Sequence, residues 1–259
     1  MKKWKKIVLW IAGGIVVLMS ILIIYVADIL FYIFPRKDTE KIRKILVEDF
    51  KRETSWQRHH CTPPIIWPSP FHEPKLKRMG KSILPVLIEI IEDEKEDKWV
   101  RDFASGPFGN WEESKKYVPR LIKILKEGDE TGRISAVTAL YSIGLKYEDK
   151  RVIVPLIEAS FWDKDINVRH IAYVWYDISK KKPELFKGNH KTVKLLIEYL
   201  LTEKIAHGTR RGVTDALGNI NDKKAIGPLK EILKRKDEHP HVKKAAEEAL
   251  EKILNKGDE

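Results

Sequence analysis

The chain of 259 residues is 43% hydrophobic and 34% charged, with 49 Lys and Arg against 38 Asp and Glu and a formal charge of +11. This composition excludes a collagen, an acidic disordered tail and a disulfide scaffold, because Cys61 is the one cysteine and can form no intramolecular bridge. The charge is unevenly placed: residues 1–35 hold +3, residues 36–82 hold +6, and the other 177 residues, with 33 basic and 31 acidic side chains, hold +2. A basic N-terminal end on a nearly neutral remainder favours a lipid bilayer with an anionic surface as partner. It argues against nucleic acid, which calls for a basic stripe on the folded domain.

The sequence divides into an N-terminal transmembrane anchor (1–35), a basic juxtamembrane helix with a Pro-rich strap (36–82) and a repeat domain (83–259). Ile7 to Ala27 is uncharged and rich in Ile, Leu and Val. As a helix it would span roughly 30 Å, the thickness of a bilayer hydrocarbon core. Trp4 and Trp10 at one end and Tyr25, Phe31, Tyr32 and Phe34 at the other suit interfacial anchoring. A cleaved signal peptide is the alternative, but the apolar run is long and Tyr25-Val26-Ala27 puts a bulky ring where a cleavage site needs a small residue. Lys2, Lys3, Lys5 and Lys6 favour an N-terminus inside, whereas Arg36, Lys37, Lys41, Arg43 and Lys44 favour the opposite sense. The expectation is a single-pass membrane protein, N-terminus in, with the repeat domain outside the cytoplasm.

Over residues 38–53, Ile42, Ile45, Leu46 and Phe50 recur at helical spacing, which predicts an amphipathic helix lying on lipid or packing on the next domain. Pro63, Pro64, Pro68, Pro70 and Pro74 make the segment after it extended. His59, His60, Cys61 and His72 are zinc-ligand types, but adjacent ligands in a Pro-rich strand fit no common spacing. Gly80-Lys81-Ser82 resembles the end of a phosphate loop, yet Lys75 stands where the leading glycine belongs. No metal or cofactor is expected.

From residue 83 the chain repeats itself. Similar lines begin at Ile83, Tyr117, Val152, Thr192 and Ala225, four of them with a proline in the first turn: Pro85, Pro119, Pro155 and Pro228. Proline costs least there, because the missing N–H has no helical partner. Each line is followed by a polar break and a second helix with a basic residue near its start: Arg101, Arg133, Arg169, Arg210 and Lys243. Such a period predicts stacked helical hairpins, none of which can bury its apolar face alone. The second helices carry matching stripes, Val168, Ile171, Ala172, Trp175 and Ile178 in one and Val242, Ala245, Ala246, Ala249, Leu250 and Ile253 in another. Glu247, Glu248, Glu251 and Lys252 make the last repeat polar enough to close the stack.

These lines carry a resemblance. AIGPLKEILKRKDEHPHVKKAAEEALEKI (Ala225–Ile253) resembles a HEAT repeat of the phycobilisome-lyase type, and IVPLIEASFWDKDINVRHIA (Ile153–Ala172) a looser copy. The resemblance covers about residues 83–254 and implies an all-α fold, a right-handed α-solenoid of about five HEAT-like hairpins preceded by the transmembrane helix. It also implies a structural ladder between repeats, which the i,i+4 pairs Asp97–Arg101, Asp129–Arg133 and Asp165–Arg169 match; Ala206 and His239 replace the acid in the last two copies.

HEAT-like arrays mostly bind other proteins. In the third copy, His170, Tyr173 and Asp177, with Tyr176 adjacent, fall on one helix face, and Arg211 aligns with it in the fourth; together they are a candidate ligand or partner groove. Corresponding positions are Asp102, Ser105 and Gly109, then Ile134, Val137 and Tyr141. Gly106-Pro107 must end the first second-helix early, leaving GPFGNW as a loop, read as the irregular end of the array. No G-x-S-x-G, H-E-x-x-H, paired cysteines or G-x-G-x-x-G is present, and His72-Glu73 is the one His-Glu pair where HEAT-built di-iron hydroxylases need repeated ones. The reading is a membrane-anchored scaffold or adaptor for an unnamed protein partner. The alternative is a HEAT-like enzyme of lyase or glycosylase type, or a nucleic-acid binder, using the concave second-helix face.

Overall fold

The computed structural model describes residues 35–60, 76, 79–202 and 205–255, and among these every regular element is helical. Helix α1 (Pro35–His60) is followed by α2 (Leu84–Glu92), α3 (Lys98–Ser105), α4 (Val118–Glu127), α5 (Glu130–Tyr147) and α6 (Ile153–Trp162). Then come α7 (Ile166–Ala172), α8 (Trp175–Lys181), α9 (His190–Leu201), α10 (His207–Ile220), α11 (Ile226–Lys234) and α12 (Pro240–Asn255). The backbone divides within α1 into two compact units, Met1–Asp49 and Phe50–Glu259.

The second unit holds five hairpins: α2/α3, α4/α5, α6/α7–α8, α9/α10 and α11/α12. Pro85, Pro119, Pro155 and Pro228 all fall in the first turn of a hairpin's first helix. Second helices begin on an aspartate cap in two copies: the Asp97 carboxylate accepts from Trp99 N at 2.9 Å and that of Asp129 from Gly132 N at 3.0 Å. First helices pack on first helices, α6 between α4 and α9, and α9 on α11. Second helices likewise pack in series, α3 on α5, α5 on α7 and α8, α8 on α10, and α10 along α12. The layers enclose one apolar interior containing Leu87, Leu121, Leu140, Leu156, Trp175, Leu196, Leu217 and Val242.

Small residues set the closest approach in this stack. A Cβ on Gly218 would lie 2.8 Å from Ala249 Cα, so α10 and α12 touch backbone to backbone. The tightest case is Gly212, whose added Cβ would stand 1.6 Å from the Tyr173 hydroxyl. Gly212→Ala is therefore expected to expel the Tyr173 ring and cost about 1–3 kcal/mol, measured by urea denaturation. An unchanged midpoint would mean that the ring is not seated there.

Three expectations need correction. The predicted single second helix of the third repeat is broken: α7 ends at Ala172, Tyr173–Val174 form a turn, and α8 starts at Trp175. Its cause is aromatic packing. Tyr173 and Trp175 meet edge to face with centroids 5.2 Å apart, and positions i and i+2 of a continuous helix do not face each other. GPFGNW is also less open than a loop: Gly106–Asn110 is a 3-10 turn, and Phe108 is buried edge-on against Tyr117.

The third correction concerns location. Among the described residues, no helix is long and apolar enough to cross a membrane. The two longest, α1 and α5, are interrupted by charged residues such as Lys41, Arg43 and Lys44, or Arg133 and Lys146. The single-pass membrane location and the placement outside the cytoplasm are therefore not upheld. The apolar run Ile7–Ala27 lies outside the described residues, as do Cys61, His72 and the Pro-rich strap 62–74. The juxtamembrane helix is longer than the predicted 38–53. In the second unit Phe50 packs against Phe103, centroids 6.0 Å apart, and Lys51 pairs with Glu96 at 2.9 Å.

Candidate functional site

The arginines that open the second helices are pinned between hairpins. Arg101 lies buried and forks onto Asp129 of the next hairpin, Nη1 to Oδ2 at 2.7 Å and Nη2 to Oδ1 at 2.6 Å, while Nε donates to Ile91 O at 2.9 Å. Its guanidinium holds the Asp129 carboxyl below the ordinary range, helped by the Gly132 amide. Arg133 repeats the pattern onto Asp163, Nε to Oδ2 at 2.9 Å and Nη2 to Oδ1 at 3.1 Å, with Asp165 as a further partner and Gly128 O accepting at 2.7 Å. Arg210 reaches Glu238 at 3.0 and 3.3 Å and Thr202 O at 2.7 Å.

The Arg101, Arg133 and Arg210 ion pairs therefore each join two hairpin units or their turns, whereas the i,i+4 spacing put Asp97 and Asp129 four residues before Arg101 and Arg133 and offered Arg210 only Ala206. Arg169 differs: it donates to the carbonyls of Asp163 and Lys164 and has no carboxylate partner among the described residues. Two partners escaped the sequence reading. Glu238 stands one residue before His239 and Asp163 two before Asp165, so a search at fixed offset passed over both. The signal was a carboxylate anywhere in the turn between the two helices of a hairpin.

On the second-helix layer, polar side chains join across successive hairpins. Tyr141 of α5 donates to Asp177 Oδ2 of α8 at 2.6 Å, and Lys181 pairs with the same carboxylate at 2.8 Å. One residue back, Tyr176 donates to Asp215 Oδ2 of α10 at 3.0 Å, where Arg211 lies 3.8 Å away. Lys180 places its ammonium 4.4 Å from the Tyr176 ring centroid. Burial, then the hydrogen bond to Asp177, raises the Tyr141 phenol; burial, then Asp215, does the same for Tyr176. Against the burial that raises it, Lys181 and Tyr141 hold the Asp177 carboxyl below its ordinary value. At neutral pH the phenols are hydrogen-bond donors, not bases.

Of the candidate groove residues, the structure joins Tyr176, Asp177 and Arg211 into this row. Tyr173 lies beneath it, its hydroxyl 3.4 Å from Thr209 O and its ring 5.4 Å from that of Tyr176. Burial is the main reason its phenol is also raised. His170 stands apart: it is exposed on α7, and its side chain joins none of these hydrogen bonds. Asp215, which receives Tyr176, stands four residues after Arg211, whereas the positions compared lie three and seven residues along each second helix. No group of three or more His, Cys, Asp or Glu among the described residues is arranged to hold a metal ion.

Asp102 of α3, at the position matching His170, has its carboxyl raised by burial to about 6. The folded protein therefore holds that proton more tightly than the unfolded chain, and its stability falls as pH rises from about 4 to about 6. Asp102→Asn is expected to stabilise the protein at pH 7.5, by on the order of 1–3 kcal/mol, and to change little at pH 4. Thermal melts at the two pH values measure it; an equal effect at both would contradict it.

Residues 209–235 match the PBS lyase HEAT-like repeat family. The chain carries a HEAT-like repeat. The matched HEAT-like segment takes in most of α10 and then α11, half a repeat ahead of the Ala225–Ile253 line, since a periodic stack can be cut at either helix. Among solved structures the chain is similar to human deoxyhypusine hydroxylase in complex with glycerol, at 14% identity over 66% of this chain and 74% of that one. The TM-score is 0.29. No curated protein matches the chain.

Proposed function

We propose that the chain is a protein-binding scaffold whose partner lies along the second-helix layer. The observation that carries this reading is the row Tyr141–Asp177 and Tyr176–Asp215, which crosses three successive hairpins on one face. Its side chains are half-buried and hold one another in place, so little side-chain entropy remains to be lost on contact. Tyrosine suits such a surface, offering a large apolar ring and a hydroxyl at small conformational cost. The ion pairs between hairpins hold the spacing of the row. Burial and hydrogen bonding keep the phenols protonated, which favours recognition over proton transfer.

The test is comparative affinity purification of the full chain and of a Tyr141→Ala/Tyr176→Ala variant, with both checked for equal melting. Proteins that co-purify in proportion to the intact row support the scaffold. Identical co-purifying sets with both chains would remove it.

A further inference from the structure

Resting on that reading, we infer that the row is built for an acidic segment of its protein partner. The evidence is how charge is presented on this face. Three cations, Lys180, Lys181 and Arg211, stand beside two carboxylates, Asp177 and Asp215. The cations are the outer layer: the Lys181 and Arg211 side chains are 54% and 57% exposed, whereas those of Asp177 and Asp215 are 39% and 23% exposed. Each carboxylate already accepts a tyrosine hydroxyl and a cation from its own chain. Lys180 is drawn over the Tyr176 ring and stays exposed.

An approaching chain thus meets ammonium and guanidinium groups first, with the half-buried rings of Tyr141 and Tyr176 on the same row. Carboxylates spaced along an extended segment can reach these cations while apolar side chains settle on the rings. Nucleic acid fits less well. The repeat region from residue 83 on, with 33 basic and 31 acidic side chains, supplies little of the basic field that such binding draws on.

The experiment is selection of a random dodecapeptide display library on the immobilised full chain. Two variants run in parallel: Lys180→Glu/Lys181→Glu/Arg211→Glu, which reverses the outer charges, and Tyr141→Ala/Tyr176→Ala, which removes the rings. Circular dichroism melts establish that each variant is folded. The expected result is enrichment of peptides rich in Asp and Glu, with recovery at least tenfold lower on both variants. If the enriched peptides are neutral or basic and still lose recovery on the tyrosine variant, the acidic assignment is overturned while the scaffold reading stands. If nothing is enriched, or recovery is the same on all three proteins, both fail. Random single-stranded DNA is titrated alongside at two salt concentrations. Binding that exceeds that of the best peptide and is lost on the charge-reversed variant would identify nucleic acid and overturn the inference.

Discussion

Arg210→Met is expected to cost about 3–5 kcal/mol, the ordinary loss when one member of a buried ion pair is removed. The pair is deeply enclosed, with the Arg210 side chain 7% and the Glu238 side chain 1% exposed. Removing the guanidinium strands the Glu238 carboxylate in the turn before α12 and also deprives Thr202 O of its donor. In a stack stabilised by nearest-neighbour interfaces, the damage should be local, loosening α11 and α12 before the earlier hairpins. Amide exchange should therefore rise over 226–255 and stay nearly unchanged over 118–162. Arg210→Met/Glu238→Leu is expected to recover most of the loss, because two apolar groups leave no uncompensated charge. A single substitution costing less than about 1 kcal/mol would mean that the contact belongs with weak surface pairs.

Trp175→Ala carries the other large effect, about 3–5 kcal/mol for deletion of a buried aromatic ring. The ring is fully buried, its Nε1 donates to Ser160 Oγ at 2.8 Å, and Phe161 meets it edge to face with centroids 5.8 Å apart. Its loss would open a cavity between α6 and α8 beneath Tyr173 and Tyr176, so the row should loosen as stability falls. Trp175→Phe keeps most of the volume and is expected to cost less than half as much. Urea denaturation of the three proteins measures both values. Equal losses for Ala and Phe would assign the effect to the Ser160 hydrogen bond and not to packing.

The hairpins were legible because their signals are local. Prolines in the first turn, apolar stripes at helical spacing and a basic residue opening each second helix all lie within one repeat. The ladder was legible by residue type and not by partner. Spacing showed Asp129 four residues before Arg133, whereas the fold passes that carboxylate back to Arg101, 28 residues earlier in the chain. The break at Tyr173–Val174 could not be read, because the stripe from Val168 to Ile178 fits one helix and only the buried aromatics of the folded state interrupt it. His170 was placed beside Tyr173 and Asp177 by periodicity, and that same break leaves it apart. Gly212 gave no sign of its role; its meaning depends on where the Tyr173 hydroxyl lands, 39 positions earlier in the chain.

The most direct test of the central claim places a photo-cross-linking amino acid at position 211, on the second-helix face, and separately at position 123, on α4 of the first-helix layer. Both native side chains are exposed, Arg211 at 57% and Lys123 at 73%, so either site should accept the probe without unfolding the protein. Illumination in the cell of origin, followed by denaturing purification, should yield a discrete protein adduct from position 211 and none of the same mass from position 123. Adducts from position 123 alone, or the same adducts from both, would contradict a scaffold that binds through its second helices.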